Sequence, residues 1–206
     1  MHELILGGQK SGKSRCAEQR AAAWLAQPGR RAVFVATALA GDDEMRTRIE
    51  RHRQDRARHL PTLVAVEEPS DLAGAIGRHS EPACLVVVDC LTLWLTNWLM
   101  PLHRPIHEPI HDPMSEPTPG DRTGGVVDEP AWAAQRAALI DVLGHAHGPL
   151  VLVSNEIGLG LTPMGAEARR FVDELGRLHQ DLAQRCSRVT LMVAGLPLAI
   201  KSESAK

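Results

Sequence analysis

Eight residues near the amino end constrain this 206-residue chain more than any other feature: Gly7-Gly8-Gln9-Lys10-Ser11-Gly12-Lys13-Ser14. They match G-x-x-x-x-G-K-[ST] in full, in the context that gives the motif meaning. The apolar run Leu4-Ile5-Leu6 before it reads as a strand buried on both faces, and the Ala-rich stretch over 15–25 reads as a helix. Glycine lets the backbone take left-handed turns and approach phosphate oxygens closely. The loop amides and the helix N-terminus supply partial positive charge. Lys13 would neutralise β and γ oxygens, and the Ser14 hydroxyl would ligate Mg²⁺. A glycine turn that binds nothing is the competing interpretation.

The later apolar runs repeat a strand–helix alternation. Strands are expected over 32–36, 63–66, 84–89, 150–154 and 189–194. Helices are expected over 42–58, from Ser70-Asp71-Leu72, and over 91–100, 132–146 and 167–185; Gly195-Leu196-Pro197 follows the last strand. The alternation implies an α/β fold with a mostly parallel sheet and helices on both faces, its ligand at the carboxyl ends of the strands. The 42–58 helix is polar enough to be largely solvated. Asp89 ends the most apolar strand, where a carboxylate would hold the hydration shell of Mg²⁺; the alternative is an N-cap for the next helix.

Composition narrows the function classes. With 25 acidic and 23 basic residues the net charge is −2, which leaves no electrostatic footprint for nucleic acid or an anionic membrane. Aromatics are 3% with no Tyr, so a base-stacking platform is excluded as well. No apolar run approaches the roughly 20 residues of a spanning helix. Cys16, Cys84, Cys90 and Cys186 form no C-x-x-C pair and read as buried thiols of a reducing compartment. A soluble cytoplasmic protein is expected. The segment 101–130 holds 7 of the 14 prolines and a repeat, His103-Arg104-Pro105-Ile106, His107-Glu108-Pro109-Ile110, His111-Asp112-Pro113. It reads as an extended insertion in one domain. A metal-binding His tract is the alternative, but prolines forbid the helix on which histidines four apart share a face.

Further segments are more specific than the phosphate loop. They are Ala36-Thr37-Ala38, Asp42-Asp43-Glu44-Met45, Arg48-Ile49-Glu50-Arg51-His52-Arg53, Glu67-Glu68-Pro69 and the run from Asp89 to Asn97. In the carboxyl half come Ser154-Asn155-Glu156-Ile157-Gly158-Leu159-Gly160, Arg169-Arg170-Phe171-Val172-Asp173-Glu174-Leu175-Gly176 and Gly195-Leu196-Pro197. In this order and spacing the chain closely resembles the bifunctional adenosylcobinamide kinase / adenosylcobinamide-phosphate guanylyltransferase family of cobalamin biosynthesis. The match spans nearly the whole chain except the Pro/His insertion and the last few residues.

The resemblance implies a RecA-like P-loop NTPase fold, a homotrimer, and two reactions at one nucleotide site. First, a nucleoside triphosphate, ATP or GTP, phosphorylates the aminopropanol hydroxyl of adenosylcobinamide. Then GTP passes GMP to a histidine, and the cobinamide phosphate takes it to give adenosylcobinamide-GDP and pyrophosphate. The histidine maps onto His52. Nucleotide contacts map onto Gly7 through Ser14, onto Ala36, Thr37 and Ala38, onto Arg53, Gln54, Asp55 and Arg56, and onto Glu67 (or Glu68), with Asp89 at the metal.

The chemistry of His52 agrees. A neutral imidazole is a good nucleophile near neutral pH and forms a labile N–P bond. Arg48, Arg51, Arg53 and Arg56 beside it suit phosphate and hold the imidazole pKa down. An exposed surface histidine is the plain alternative. Asn155 and Glu156, at a strand's carboxyl end, read as substrate contacts or a base, or as a turn with a capping Asn. Two other functions fit the loop: a simpler P-loop kinase or NTPase with no covalent step, and a nucleotide-dependent switch or assembly module.

Overall fold

The computed structural model describes residues 1–100 and 129–202, so the 101–130 insertion lies outside the described residues except for its last two. The elements are β1 (His2–Gly7), α1 (Lys13–Leu25), β2 (Arg31–Ala36), α2 (Asp43–His59), β3 (Val64–Glu67), α3 (Leu72–His79) and β4 (Cys84–Asp89). They continue with α4 (Leu91–Leu99), α5 (Glu129–His145), β5 (Leu150–Val153), α6 (Ala166–Arg185), β6 (Arg188–Val193) and β7 (Leu196–Lys201). All the described strands join one seven-stranded sheet of order β3-β2-β4-β5-β1-β6-β7. Every pairing is parallel except β6 with β7. The expected α/β P-loop sheet, with helices on both faces, is what forms.

The strands read as unbroken apolar runs because both faces are covered, and alternate residues divide between two cores. Leu4, Val86, Val88 and Leu152 pack under α3, α4, α5 and α6, against Ile76, Trp94, Leu139 and Leu178. Ile5, Phe34, Leu85, Val87, Val151 and Val153 face α1, which buries the small Cys16, Ala17 and Ala21 against them and packs Trp24 and Leu25 at its carboxyl end. All four cysteines are buried free thiols, as expected. None of the described helices is long and apolar enough to cross a membrane.

α2 buries no residue, as its polarity requires. Its ends hold it instead: Asp42 accepts from Met45 N at 2.7 Å, acids occupy the first turn, and Arg56, Arg58 and His59 the last. At the amino edge of the sheet the buried Glu3 meets Arg20 at 2.9 Å, Arg188 at 3.6 Å and the Thr190 hydroxyl at 2.8 Å. That set satisfies a charge which would otherwise be costly to bury.

Most bounds shift from the expectation by a residue or two, and two departures are larger. β7 was not anticipated beyond Gly195-Leu196-Pro197. Ala194 and Gly195, at φ 52° and 81°, make a two-residue hairpin turn that returns the chain antiparallel to β6. β7 is an exposed edge strand, where Pro197 is tolerated. α5 starts at Glu129, not 132, because Pro130 sits in its first turn, where a missing N–H costs nothing.

Trp94 and Trp132 pack with centroids 5.2 Å apart, and each indole N–H is bonded, to Ser70 O and Glu174 Oε2. Trp132→Ala should therefore lower unfolding free energy by about 3–5 kcal/mol, read from chemical denaturation.

Candidate functional site

One transverse row of the sheet sets the site. Glu67 pairs with Ala36, Ala36 with Asp89, Asp89 with Val153 and Val153 with Ile5. The chain therefore leaves β2, β3, β4 and β5 at one level, and β1 two residues beyond it. The segments carrying the predicted residues gather there.

The phosphate loop is held open by two glycines. Gly7 has φ 153°, and a Cβ on it would fall 2.6 Å from Met192 O. Gly12 is left-handed at φ 98°, caps α1 and brings no side-chain cap, so the first α1 amides have no capping side chain. Lys13 is nearly buried, with Nζ donating to Gly8 O at 2.6 Å. Burial lowers its pKa, Cys90 and Asp89 oppose this, and Arg48 adds to it. The Ser11 hydroxyl is buried without a hydrogen-bond partner among the described residues. An unmet polar group of that kind fits a loop built to receive an oxyanion.

Asp89 is not a helix cap: the N-cap of α4 is Cys90, with no side-chain capping bond. Thr37 fixes this corner. It is fully buried, donates to Cys90 O at 2.7 Å and accepts from Cys90 N at 3.0 Å. Its carbonyl takes Asn97 Nδ2 at 2.8 Å, and the same amide reaches Pro69 O at 2.9 Å. The Thr37 hydroxyl thus serves the protein, between the half-buried Ala36 and Ala38. The Cys90 thiol is pushed up to about 12 by burial, chiefly, so it is no nucleophile at neutral pH.

His52 lies on the inward stripe of α2 with Met45, Ile49 and Arg56, all half-buried. Burial lowers its pKa; Asp89 opposes, and Arg56, Arg48 and Arg51 lower it further. The imidazole and Lys13 therefore sit in the field of the same Asp89 carboxylate. Arg56 stacks its guanidinium 4.1 Å over Phe34. Glu18, absent from the sequence reading, faces this corner too: burial raises its pKa, while Arg56 lowers it. Its signal was its position, one helical turn after Ser14.

The other predicted contacts divide. Arg53 meets Glu67 at 3.2 Å. Glu68 instead accepts the N–H groups of Ser70 and Asp71 at 3.1 and 2.8 Å, which makes it a turn residue and leaves Glu67 beside the arginine. Gln54 bonds Glu50, and the Asp55 carbonyl meets His59. Arg53, Gln54, Arg56, Leu63 and Ala65 line a groove of about 310 Å³ between α2 and β3. At the end of β5, Glu156 N donates to Gly7 O at 2.9 Å, which sets Glu156 against the start of the phosphate loop.

Among the described residues no group of three or more His, Cys, Asp or Glu gathers to hold a metal alone. Ser14 and Asp89 fit Mg²⁺, which takes one or two protein oxygens and completes its shell from phosphates and water.

The model of one protein family, cobinamide kinase / cobinamide phosphate guanyltransferase, matches residues 3–200. The chain belongs to this family. It is 45% identical over 204 residues to the bifunctional adenosylcobalamin biosynthesis protein CobP of Pseudomonas aeruginosa, covering 98% of this chain and 99% of that one. It is 34% identical over 202 residues to the bifunctional adenosylcobalamin biosynthesis protein CobU of Escherichia coli, covering 96% and 98%. A crystal structure of the RadB recombinase overlays with TM-score 0.43 and 17% identity over 92% of this chain and 73% of that chain, too distant to add to the topology.

Thr37→Val would leave the buried Cys90 N–H without its acceptor, while the Cys90 C=O keeps the Trp94 N–H at 3.1 Å; the cost is about 1–3 kcal/mol, and Asp89 is loosened. The expected outcome is a lower denaturation midpoint together with weaker Mg-GTP binding by calorimetry.

Proposed function

We propose that the chain carries both activities its family name describes. In the first, a nucleoside triphosphate phosphorylates the aminopropanol hydroxyl of adenosylcobinamide. In the second, an imidazole nitrogen of His52 attacks the α-phosphorus of GTP. The N–P bond forms as the bond to pyrophosphate breaks, its electron pair leaving with pyrophosphate. A phosphate oxygen of the cobinamide phosphate then displaces the imidazole to give adenosylcobinamide-GDP. The observation that carries this is the placement of His52 on the inward stripe of α2, sharing with Lys13 the field of Asp89.

Each residue has a task. Lys13 exchanges the Gly8 carbonyl for phosphate oxygens, with Ser11 and the first amides of α1 around them. Arg48 and Arg56 stabilise charge developing on the transferred phosphorus. Ser14 and Asp89 would hold Mg²⁺, which neutralises phosphate charge. The α2–β3 groove suits the nucleoside, with Arg53, Gln54 and Arg56 lining it and Glu67 paired to Arg53; Asp55 would contact the nucleotide from the same helix. Ala36, Thr37 and Ala38 would meet the nucleotide through backbone groups. A cytoplasmic homotrimer belongs to the same proposal. The exposed apolar Leu196, Leu198 and Ile200 on edge strand β7 support a contact between copies, which sedimentation velocity tests.

Incubation with GTP labelled in the α-phosphate should leave acid-labile, alkali-stable label on the protein, and His52→Ala should abolish it. Equal labelling of that variant refutes His52 as the nucleophile, and a wild-type protein that takes no label is a simple P-loop kinase. The lowered pKa has a consequence of definite sign. Protonation quenches the nucleophile, so label formation should hold at neutral pH and decline on acidification with a midpoint below 6.5.

A further inference from the structure

A second buried polar network stands at the carboxyl end of β5, apart from His52. His179, on α6, is nearly buried, and its Nε2 lies 2.7 Å from the Ser154 hydroxyl. Ser154 is itself fully buried and lies 3.2 Å from the Thr92 hydroxyl. Thr92 Oγ1 accepts the Asn155 N–H at 2.7 Å. On its other side the ring presents Nδ1 to Glu156 Oε2 at 3.6 Å, within ion-pair range. The second Glu156 oxygen accepts Gly158 N at 2.7 Å. Glu156 is the member of the network that reaches solvent, 22% exposed against 9% for His179.

The donors and acceptors run in one direction. An unprotonated Nδ1 would set its lone pair against a carboxylate, so the proton belongs on Nδ1. Nε2 then accepts from Ser154, and Ser154 accepts from Thr92. Every hydroxyl proton has a partner in this sense, and the imidazole can only point its N–H at Glu156. A histidine whose far nitrogen is bonded in this way orients the carboxylate it faces.

We infer that Glu156 is the carboxylate that takes the proton from the cobinamide hydroxyl in the phosphorylation step, and that His179 is its positioning residue, held by Ser154 and Thr92. The inference rests on the kinase activity proposed above. Glu156 leaves β5 between the phosphate loop on β1 and Asp89 on β4, and its own N–H is bonded to Gly7 O. That is where an acceptor hydroxyl must stand to meet a γ-phosphorus cradled by the loop. Glu3, Glu67 and Glu174 are paired with arginine, whereas Glu156 faces an imidazole. In the step the hydroxyl O–H bond breaks and its proton passes to Glu156. The O–Pγ bond forms, and the bond from Pγ to the β-phosphate oxygen breaks, its electron pair leaving with the nucleoside diphosphate.

The two half-reactions make the test. Phosphorylation of cobinamide by ATP or GTP is followed by product mass, and guanylyl transfer by α-phosphate label retained on the protein. Glu156→Gln should lower kcat for phosphorylation by about 10²-fold, with KM for nucleotide and label formation unchanged. His179→Ala should lower the same kcat by about 10-fold or more. His179→Asn keeps a donor toward Glu156 and should restore turnover; His179→Gln keeps only a partner for Ser154 and should not. Wild-type turnover in Glu156→Gln overturns the base. Rescue by Gln as good as by Asn overturns the positioning role, since His179 would then act only through packing on Ser154. Glu156→Gln is isosteric and partly exposed, so it reports even where a buried His179 substitution impairs folding. Wild-type enzyme that labels but never phosphorylates cobinamide overturns the kinase activity itself, a result distinct from either of these.

Discussion

Parallel pairing of β4, β5 and β1, buried on both faces, is the constraint on which the rest of the structure depends. Parallel strands share a direction, so their carboxyl ends open on one edge. The register makes that edge level from Glu67 to Ile5. Phosphate loop, Asp89 and Glu156 are neighbours because of it. No local feature of the loop brings Asp89 to Lys13; the order of strands does.

The two edges of the sheet use buried polarity differently. At the amino edge Glu3 is locked by Arg20, Arg188 and Thr190 into permanent ion pairs. Such a set keeps register and has little left to offer a ligand. At the carboxyl edge the buried groups other than Lys13 are neutral hydroxyls, Ser11 among them, and an imidazole. Neutral groups of low desolvation cost can be buried beside a site without screening the charges that do its work. The charged members, Lys13, Asp89, Arg56 and Glu18, surround them. α2 brings its cations from outside and buries nothing, so its position depends on its caps and on the Arg56–Phe34 and Arg53–Glu67 contacts.

Much of this was legible in one dimension. Leu4-Ile5-Leu6 running into a full phosphate-loop motif announces a strand, a loop and a helix, because glycine placement and apolar run length are local properties. The polarity of α2 announced its solvation. β7 was missed because an exposed edge strand carries no burial pattern; its signal was the Ala-Gly pair before alternating Leu196, Leu198 and Ile200. Glu67 and Glu68 are adjacent and identical in kind, so only the hydrogen bonds of Ser70 and Asp71 separate them.

By itself, then, the sequence determined the strand–helix alternation, the phosphate loop and the family, since these rest on residue spacing along the chain. Tertiary structure decided which groups meet. Thr37 and Cys90 are 53 residues apart and Ser154 and His179 are 25 apart, yet each pair is within hydrogen-bond distance. Periodicity reports which face a residue takes. It cannot report what faces it, because strand order and helix docking come from burial summed over the whole chain.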